Sequence, residues 1–232
     1  MIKLKFSPRE MNDPNKAFNV FQRKIISISQ RKEKVDTKSF YAQLAEIGDR
    51  FEEYSQREVM NRNSKRLAET LVNLGNGSLA GVIYSFLIKL NHNKSALVEQ
   101  LAYNGLAIAK RFNDPVHIMA RCEDLNKIYS ITDQKSSKRL RLLYDEKRAL
   151  NKICQDYDKA QDRFMTISRK MKPLESYQRM LCHVKIRIAR AEKKNNPNQA
   201  IYELESAKEI ANELKSEKLL KIIDSVFKDI TK

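Results

Sequence analysis

Apolar and polar positions alternate with a helical period over nearly the whole chain. Phe18, Phe21, Ile25 and Ile28 recur at spacings of three and four, with Arg23, Lys24, Arg31 and Lys32 outside that line. Asp13-Pro14 supplies the cap and the first-turn proline of this helix, which is expected to end near Lys34. Asp36 or Thr37 opens the next, where Phe40, Leu44, Ile47, Phe51 and Tyr54 form the clearest amphipathic stripe of the first third. Helical character continues through Arg57 to Leu74, with a kink expected near Asn61-Arg62-Asn63-Ser64, and stops at Gly75-Asn76-Gly77.

Ser78 restarts a helix, Leu79 to Leu90, which is apolar around most of its circumference and is expected to sit deep. Asn91-His92-Asn93-Lys94 turns the chain into Ala96 to Phe112, and Asn113-Asp114-Pro115 turns it again into Val116 to Ile131. From Ser137 to Met171 there is neither Gly nor Pro. Leu143, Leu150, Ile153, Tyr157, Ala160, Phe164, Ile167 and Met171 keep a near-heptad register, which favours one helix of about 35 residues, with a turn at Asp156-Tyr157-Asp158 as the alternative. Pro173 ends that segment. A helix from Leu174 to Lys194, a turn at Asn195-Asn196-Pro197-Asn198, and helices Ala200 to Leu214 and Leu219 to Ile230 complete the reading. The predicted class is all-α.

Composition agrees with this. Only five Gly and five Pro punctuate 232 residues, and the 41% hydrophobic content supports a continuous core. No apolar run reaches the roughly 18 residues that a membrane-spanning helix needs. Ser7-Pro8-Arg9-Glu10 replaces the apolar stretch that would follow a signal-peptide start, so a cytoplasmic location is expected. Cys122, Cys154 and Cys182 are widely spaced within apolar helical patterns and are expected to be buried free thiols.

Charge changes the picture more. The formal net charge is +16, and it is concentrated in two blocks: residues 1–35 carry nine basic and three acidic side chains, residues 133–195 eighteen and eight. Such an excess attracts acidic protein segments or nucleic acid without choosing between them.

Three turns share a pattern in which Asn or Asp residues are followed by an alanine one turn into the next helix, at Ala96, Ala160 and Ala200. The last two alanines are 40 residues apart, a period characteristic of stacked helix pairs. Ala96, Leu101, Leu106, Ala107, Ala109, Asp114, Pro115, Ala120, Leu125 and Tyr129 fall where long-period tetratricopeptide repeats place their packing residues, and Ala200, Ala207, Ile210, Ala211 and Leu214 repeat the pattern in part. Over roughly residues 78–232 the chain therefore resembles the tetratricopeptide-like (TPR-like) helical repeat family. The resemblance implies an α-solenoid, a right-handed stack of antiparallel helix pairs. Residues 1–77 are expected to be a helical segment packed on the repeats, within one continuous domain. In such solenoids basic side chains of the inner helices clamp carboxylates of a bound peptide.

The strongest candidate site is a basic stripe on the helix after Pro173: Arg179, His183, Arg187, Arg190 and Lys194, separated by four, four, three and four residues and distinct from the apolar face of Leu181, Val184, Ile188 and Ala191. Like charges at these spacings repel, and an acidic partner would relieve them. A second set, Lys138, Arg141, Arg148 and Lys152, with Arg139 and Lys147 nearby, is read as a possible extension of the same surface. A third, Arg23, Lys24, Arg31, Lys32 and Lys34, has less regular spacing. Each set has the simpler alternative of a solvated helix face. His92, His117 and His183 lie far apart without zinc-ligand spacing, and no phosphate loop, nucleophile elbow or metalloprotease pair is present. The expectation is a protein without catalytic residues, metal or cofactor, binding an acidic partner segment. Nucleic acid on the same surface, or self-assembly through the 137–171 heptad line, are the alternatives.

Overall fold

Asp13 accepts hydrogen bonds from the Asn15 and Lys16 amides at 2.9 and 3.2 Å, which caps the first helix as its Asp-Pro start predicts. The computed structural model describes residues 13–33, 35–131, 137–158, 160 and 172–231. Among them are ten helices and no extended strand: α1 (Pro14–Gln30), α2 (Thr37–Glu53), α3 (Arg57–Asn73), α4 (Gly77–Leu90), α5 (Ser95–Arg111), α6 (Pro115–Ile131), α7 (Ser137–Gln155), α8 (Leu174–Glu192), α9 (Pro197–Glu213) and α10 (Glu217–Ile230). The described residues divide into two units, with the boundary inside α6 between His117 and Ile118.

Four of the connections are three-residue linkers built alike. In Tyr54-Ser55-Gln56, Leu74-Gly75-Asn76, Phe112-Asn113-Asp114 and Leu214-Lys215-Ser216 the middle residue has positive φ and the third is the N-cap or entry residue of the following helix. The third residue's amide reaches back to a carbonyl five residues earlier: Gln56 to Phe51, Asn76 to Leu71, Asp114 to Ala109 and Ser216 to Ala211, at 2.7–2.9 Å. This is the Schellman arrangement, which satisfies the orphan carbonyls of one helix while starting the next. Lys32, after α1, has the same left-handed conformation. Gly75 and Asn113 announce such a turn by composition, and Ser55 and Lys215 do not. The continuous helix expected across Tyr54 and Arg57 is therefore interrupted, and α3 passes through Asn61–Ser64 without the expected kink. The heptad line of residues 137–171 also breaks: α7 stops at Gln155, Asp156 stands in a turn, and Phe164, Ile167 and Met171 lie outside the described residues. Tyr157 there donates to the Lys172 carbonyl at 2.8 Å and packs its ring 6.3 Å from Tyr177 of α8, contacts that a heptad pattern does not encode.

In the first unit α1, α2 and α3 pack on one another, α4 packs on α2 and α3, and α5 on α4. The predicted stripes meet in one core of Phe18, Phe21, Phe40, Leu44, Ile47 and Phe51, with Phe21 and Phe40 rings 5.2 Å apart. α4 is buried almost all round, as its composition predicts. Its Gly81 faces His117: a β-carbon at Gly81 would stand 2.6 Å from the His117 Cδ2. The ring is buried and tethered through Nδ1 to the Asp114 carboxylate at 3.0 Å, so it cannot swing aside. Buried Asn91, after α4, exchanges amide hydrogen bonds with Asn61 of α3 at 2.8 and 3.0 Å.

In the second unit α8 packs on α7, α9 and α10, and α9 on α10. Ala200, Leu204, Ala207 and Ala211 of α9 are fully buried against Cys182, Ile186 and Ala189 of α8, so the small residues marked by the repeat pattern do lie where two helices approach closely. The Cys182 thiol points at the Ala207 carbonyl, 3.5 Å away. Ile210 and Leu214 are partly buried against the same cluster.

Two substitutions test these devices. Ser55→Gly should raise stability by about 0.5–1 kcal/mol, because a β-carbon in the left-handed region costs roughly 1–2 kcal/mol and glycine's extra unfolded-state entropy offsets only part of the gain. Gly81→Ala should lower stability by about 1–3 kcal/mol, the range for overpacking against an immobile neighbour. Urea unfolding of both variants checks the two signs.

Candidate functional site

A helix turns about 100° per residue, so side chains two apart on α8 point in nearly opposite directions. Lys185 and His183 stand in that relation: Lys185 is buried and His183 exposed. What holds Lys185 inward is Glu203 of α9, which is completely buried. Its carboxylate takes Lys147 of α7 at 2.5 Å, Lys185 at 3.5 Å and the Gln199 amide at 2.9 Å. Burial lowers the Lys185 pKa, and Glu203 acts in the opposite direction. Beside this cluster Glu146 of α7, also buried, accepts from the Asn126 amide of α6 at 2.8 Å and pairs with Arg187 of α8 at 3.7 Å. Burial pushes the Glu146 pKa up while Arg187 pulls it down. Tyr144 of α7 donates to Glu192 of α8 at 3.1 Å, and burial together with that bond raises its pKa to about 12. Charged and polar groups of α7, α8 and α9 thus fix the rotation of α8.

Of this network only Arg187 was among the candidate site residues, with Lys147 named beside them, yet its carboxylates have a sequence signal. Glu203 lies in register with Ala200, Leu204 and Ala207, and Glu146 lies three after Leu143 and four before Leu150. A charged residue at a core position of adjacent helices marks a paired buried cluster.

With α8 held this way, Arg179, His183 and Arg190 emerge exposed on one ridge. Arg179 reaches the N-terminus of α10, its Nη1 3.4 Å from the Ser216 Oγ. Lys218 is exposed two residues further on, in the first turn of α10, and acts on His183. Among the described residues no carboxylate is ion-paired with Arg179, Arg190 or Lys218. His183 consequently has a lowered pKa, through burial first and then the positive charges of Lys218, Arg179 and Arg187. Its neutral form is the one the fold favours. The stability this contributes is present above the ordinary value of 6.5 and is lost as pH falls through the lowered folded value.

Two members of the expected stripe differ. Arg187 is half-buried and neutralised by Glu146, with burial lowering its pKa, so it forms the edge of the ridge and not its centre. Lys194 lies beyond α8, which ends at Glu192; it is exposed in the following turn. Lys138, Arg141, Arg148 and Lys152 are exposed on α7. The α7 cation that acts on Arg187 is Arg139. Arg141, Arg148 and Lys152 are spaced from Arg139 by about half a helical turn or odd multiples of it, which places them on the far side of α7. Helical spacing thus turns these three away from the side of α7 that carries Arg139. Lys147 turns inward to Glu203 instead. Of the N-terminal set, Arg31 pairs with Glu33 at 3.3 Å, Arg23 and Lys32 are exposed, and Lys34 lies outside the described residues.

Cys122 and Cys182 are buried and Cys154 half-buried, all as free thiols. Burial holds the Cys154 and Cys182 pKa values up near about 11, unlike an activated nucleophile. Among the described residues no group of three or more His, Cys, Asp or Glu is placed to hold a metal ion, and no helix is long and apolar enough to cross a membrane. No family model matches the chain, and no curated protein matches it.

Glu203→Gln should destabilise the protein by about 3 kcal/mol or more, since it leaves two lysines facing an uncharged buried amide. Adding Lys185→Met should recover part of that loss. A double-mutant cycle by urea denaturation reads the coupling, and purely additive effects would show that the pair does not act as one unit.

Proposed function

We propose that this chain is a non-enzymatic interaction module, a TPR-like stack of helix pairs that binds an acidic segment of a partner protein on the α8 ridge. The observation that supports this reading most is the approach of Arg179, His183 and Lys218 from two helices, with no described carboxylate paired to either Arg179 or Lys218. Positive groups held together raise the energy of the unliganded surface, and a chain of carboxylates lowers it again. Arg190 extends the ridge along α8. The guanidinium groups of Arg179 and Arg190 offer the bidentate geometry that carboxylates accept. The chain's net charge of +16 speeds the encounter with an acidic partner.

Nucleic acid fits the same charge less well. Single-strand binders stack bases on exposed aromatic rings, and the large hydrophobic side chains exposed among the described residues are Tyr54 and Tyr202, neither on α8.

The test is binding of a Glu-rich synthetic peptide by fluorescence anisotropy at low salt, with a scrambled-charge peptide and a mixed-sequence RNA in parallel. Arg179→Glu combined with Lys218→Glu should weaken peptide binding by about 100-fold or more, since each reversal replaces an attraction by a repulsion. The same reversal at Arg141 and Arg148, on the far side of α7, should change it by less than about threefold. Equal losses from both pairs would mean that only net charge matters and would reject a defined ridge. Tighter binding of the RNA than of the peptide would favour the nucleic-acid alternative.

A further inference from the structure

His183 is the one titratable member of the ridge with an ordinary pKa near neutrality, and it occupies the middle of it. Arg179 precedes it by one helical turn and Arg187 follows by one. From α10, Lys218 faces it, and the Arg179 contact with Ser216 ties α8 to the start of that same helix. From α7, Glu146 is occupied by Arg187 at 3.7 Å, and Arg139 adds positive charge against Arg187. From α9, the apolar residues packed on α8 are Ala200, Leu204, Ala207 and Ala211, and the carboxylates, Glu203 and Glu209, act on Lys185, which points nearly opposite to His183. The field acting on the imidazole is therefore positive from its own helix and from α10.

We infer that an acidic segment binds this ridge together with a proton, His183 in its charged form facing one of the segment's carboxylates. The inference rests on the reading of the ridge as an acidic-peptide site and adds a regulation to it. With the ridge empty, protonating His183 places a cation among Lys218, Arg179 and Arg187, and both burial and those charges oppose it. A carboxylate laid across the ridge reverses the balance. It screens the neighbouring cations and offers the imidazolium a charge-assisted hydrogen bond, so the bound state holds the proton more tightly than the unbound state. By linkage, whatever raises the proton affinity on binding also makes binding tighter as pH falls. Partner carboxylates keep their charge across this range, because their ordinary pKa values lie near about 4. The pH dependence then belongs to the histidine. Its size follows from the shift: a rise of about one pKa unit on pairing gives up to about tenfold tighter binding at low pH.

The experiment is calorimetric titration of the full chain with a Glu-rich synthetic peptide at about pH 6 and about pH 8, in two buffers of different ionisation enthalpy so that proton uptake is counted directly. The wild type is expected to bind about two- to fivefold more tightly at the lower pH and to take up a fraction of a proton per peptide. His183→Gln should bind at both pH values with the wild-type affinity of the higher pH and without that uptake. His183→Lys, cationic throughout, should bind at both near the tighter limit. Circular dichroism of each protein at both pH values confirms that the variants are folded. Peptide binding of equal strength at both pH values, or a pH dependence that survives in His183→Gln, overturns the proton linkage while leaving the ridge as a peptide site. Absence of peptide binding at either pH overturns the site itself and the linkage with it.

Discussion

A chain that reverses direction within three residues must place one of them in the left-handed region, because no sequence of right-handed helical and extended conformations turns an α-helix back so sharply while bonding its last carbonyls. Ser55, Gly75, Asn113 and Lys215 hold that position here, and each is followed by the residue from which the next helix starts. End and beginning are thus one hydrogen-bonded structure. Helices joined this way cannot drift apart, and their apolar stripes are forced to face each other. The packing of α3 on α2 and on α4 in the first unit and of α9 on α10 in the second follows from such turns, combined with helical periodicity.

Within the second unit a further constraint sets which way α8 points. An apolar stripe tolerates some rotation of its helix, since one leucine can replace another against a smooth surface. A buried carboxylate does not: Glu203 must keep Lys147 and Lys185 within reach, and Glu146 must keep Arg187 and Asn126. The penalty for losing either contact is several kcal/mol, larger than most packing differences between rotated arrangements. Directional pairs inside the unit thereby orient the exposed cations outside it. Arg179, His183 and Arg190 share one ridge because Lys185 and Arg187 are held elsewhere.

This coupling explains how a surface of like charges persists. Repulsion among exposed cations is worth tenths of a kcal/mol per pair in water, too little to unwind a helix anchored by buried ion pairs and by apolar burial against α9. The ridge can therefore stay electrostatically unsatisfied, as the proposed binding of an acidic segment requires. His183 registers that imbalance most directly, because it alone among the ridge groups can relieve it by staying neutral near physiological pH.

The positions of the helices were legible in the residues to within a few places, because a 3.6-residue period survives any tertiary context and Asp13, Asp36, Asn76 and Asp114 cap in the way their chemistry dictates. Lys218 on α10 was not among the expected residues, whereas the shared α8 face of Arg179, His183 and Arg190 was legible for the same reason. The break at Tyr54-Ser55-Gln56 was not, since serine and glutamine carry no strong turn signal and the left-handed residue there is imposed by the packing of α2 against α3 and α4. The end of α7 at Gln155 was legible only as the alternative turn at Asp156-Tyr157-Asp158, because the heptad register there is locally compatible with helix; the contacts of Tyr157 with Lys172 and Tyr177 accompany the break. What only the tertiary structure decided is the sorting of the charges. Arg179 and Arg187 are equivalent by spacing, yet one reaches Ser216 at an exposed helix start and the other is neutralised by Glu146; Lys147 and Arg148 are neighbours, yet they face a buried carboxylate and solvent respectively. Spacing says which side chains share a face of one helix. Which of those charges finds a counter-charge depends on the helix that packs beside it, and that lies many residues away in the chain.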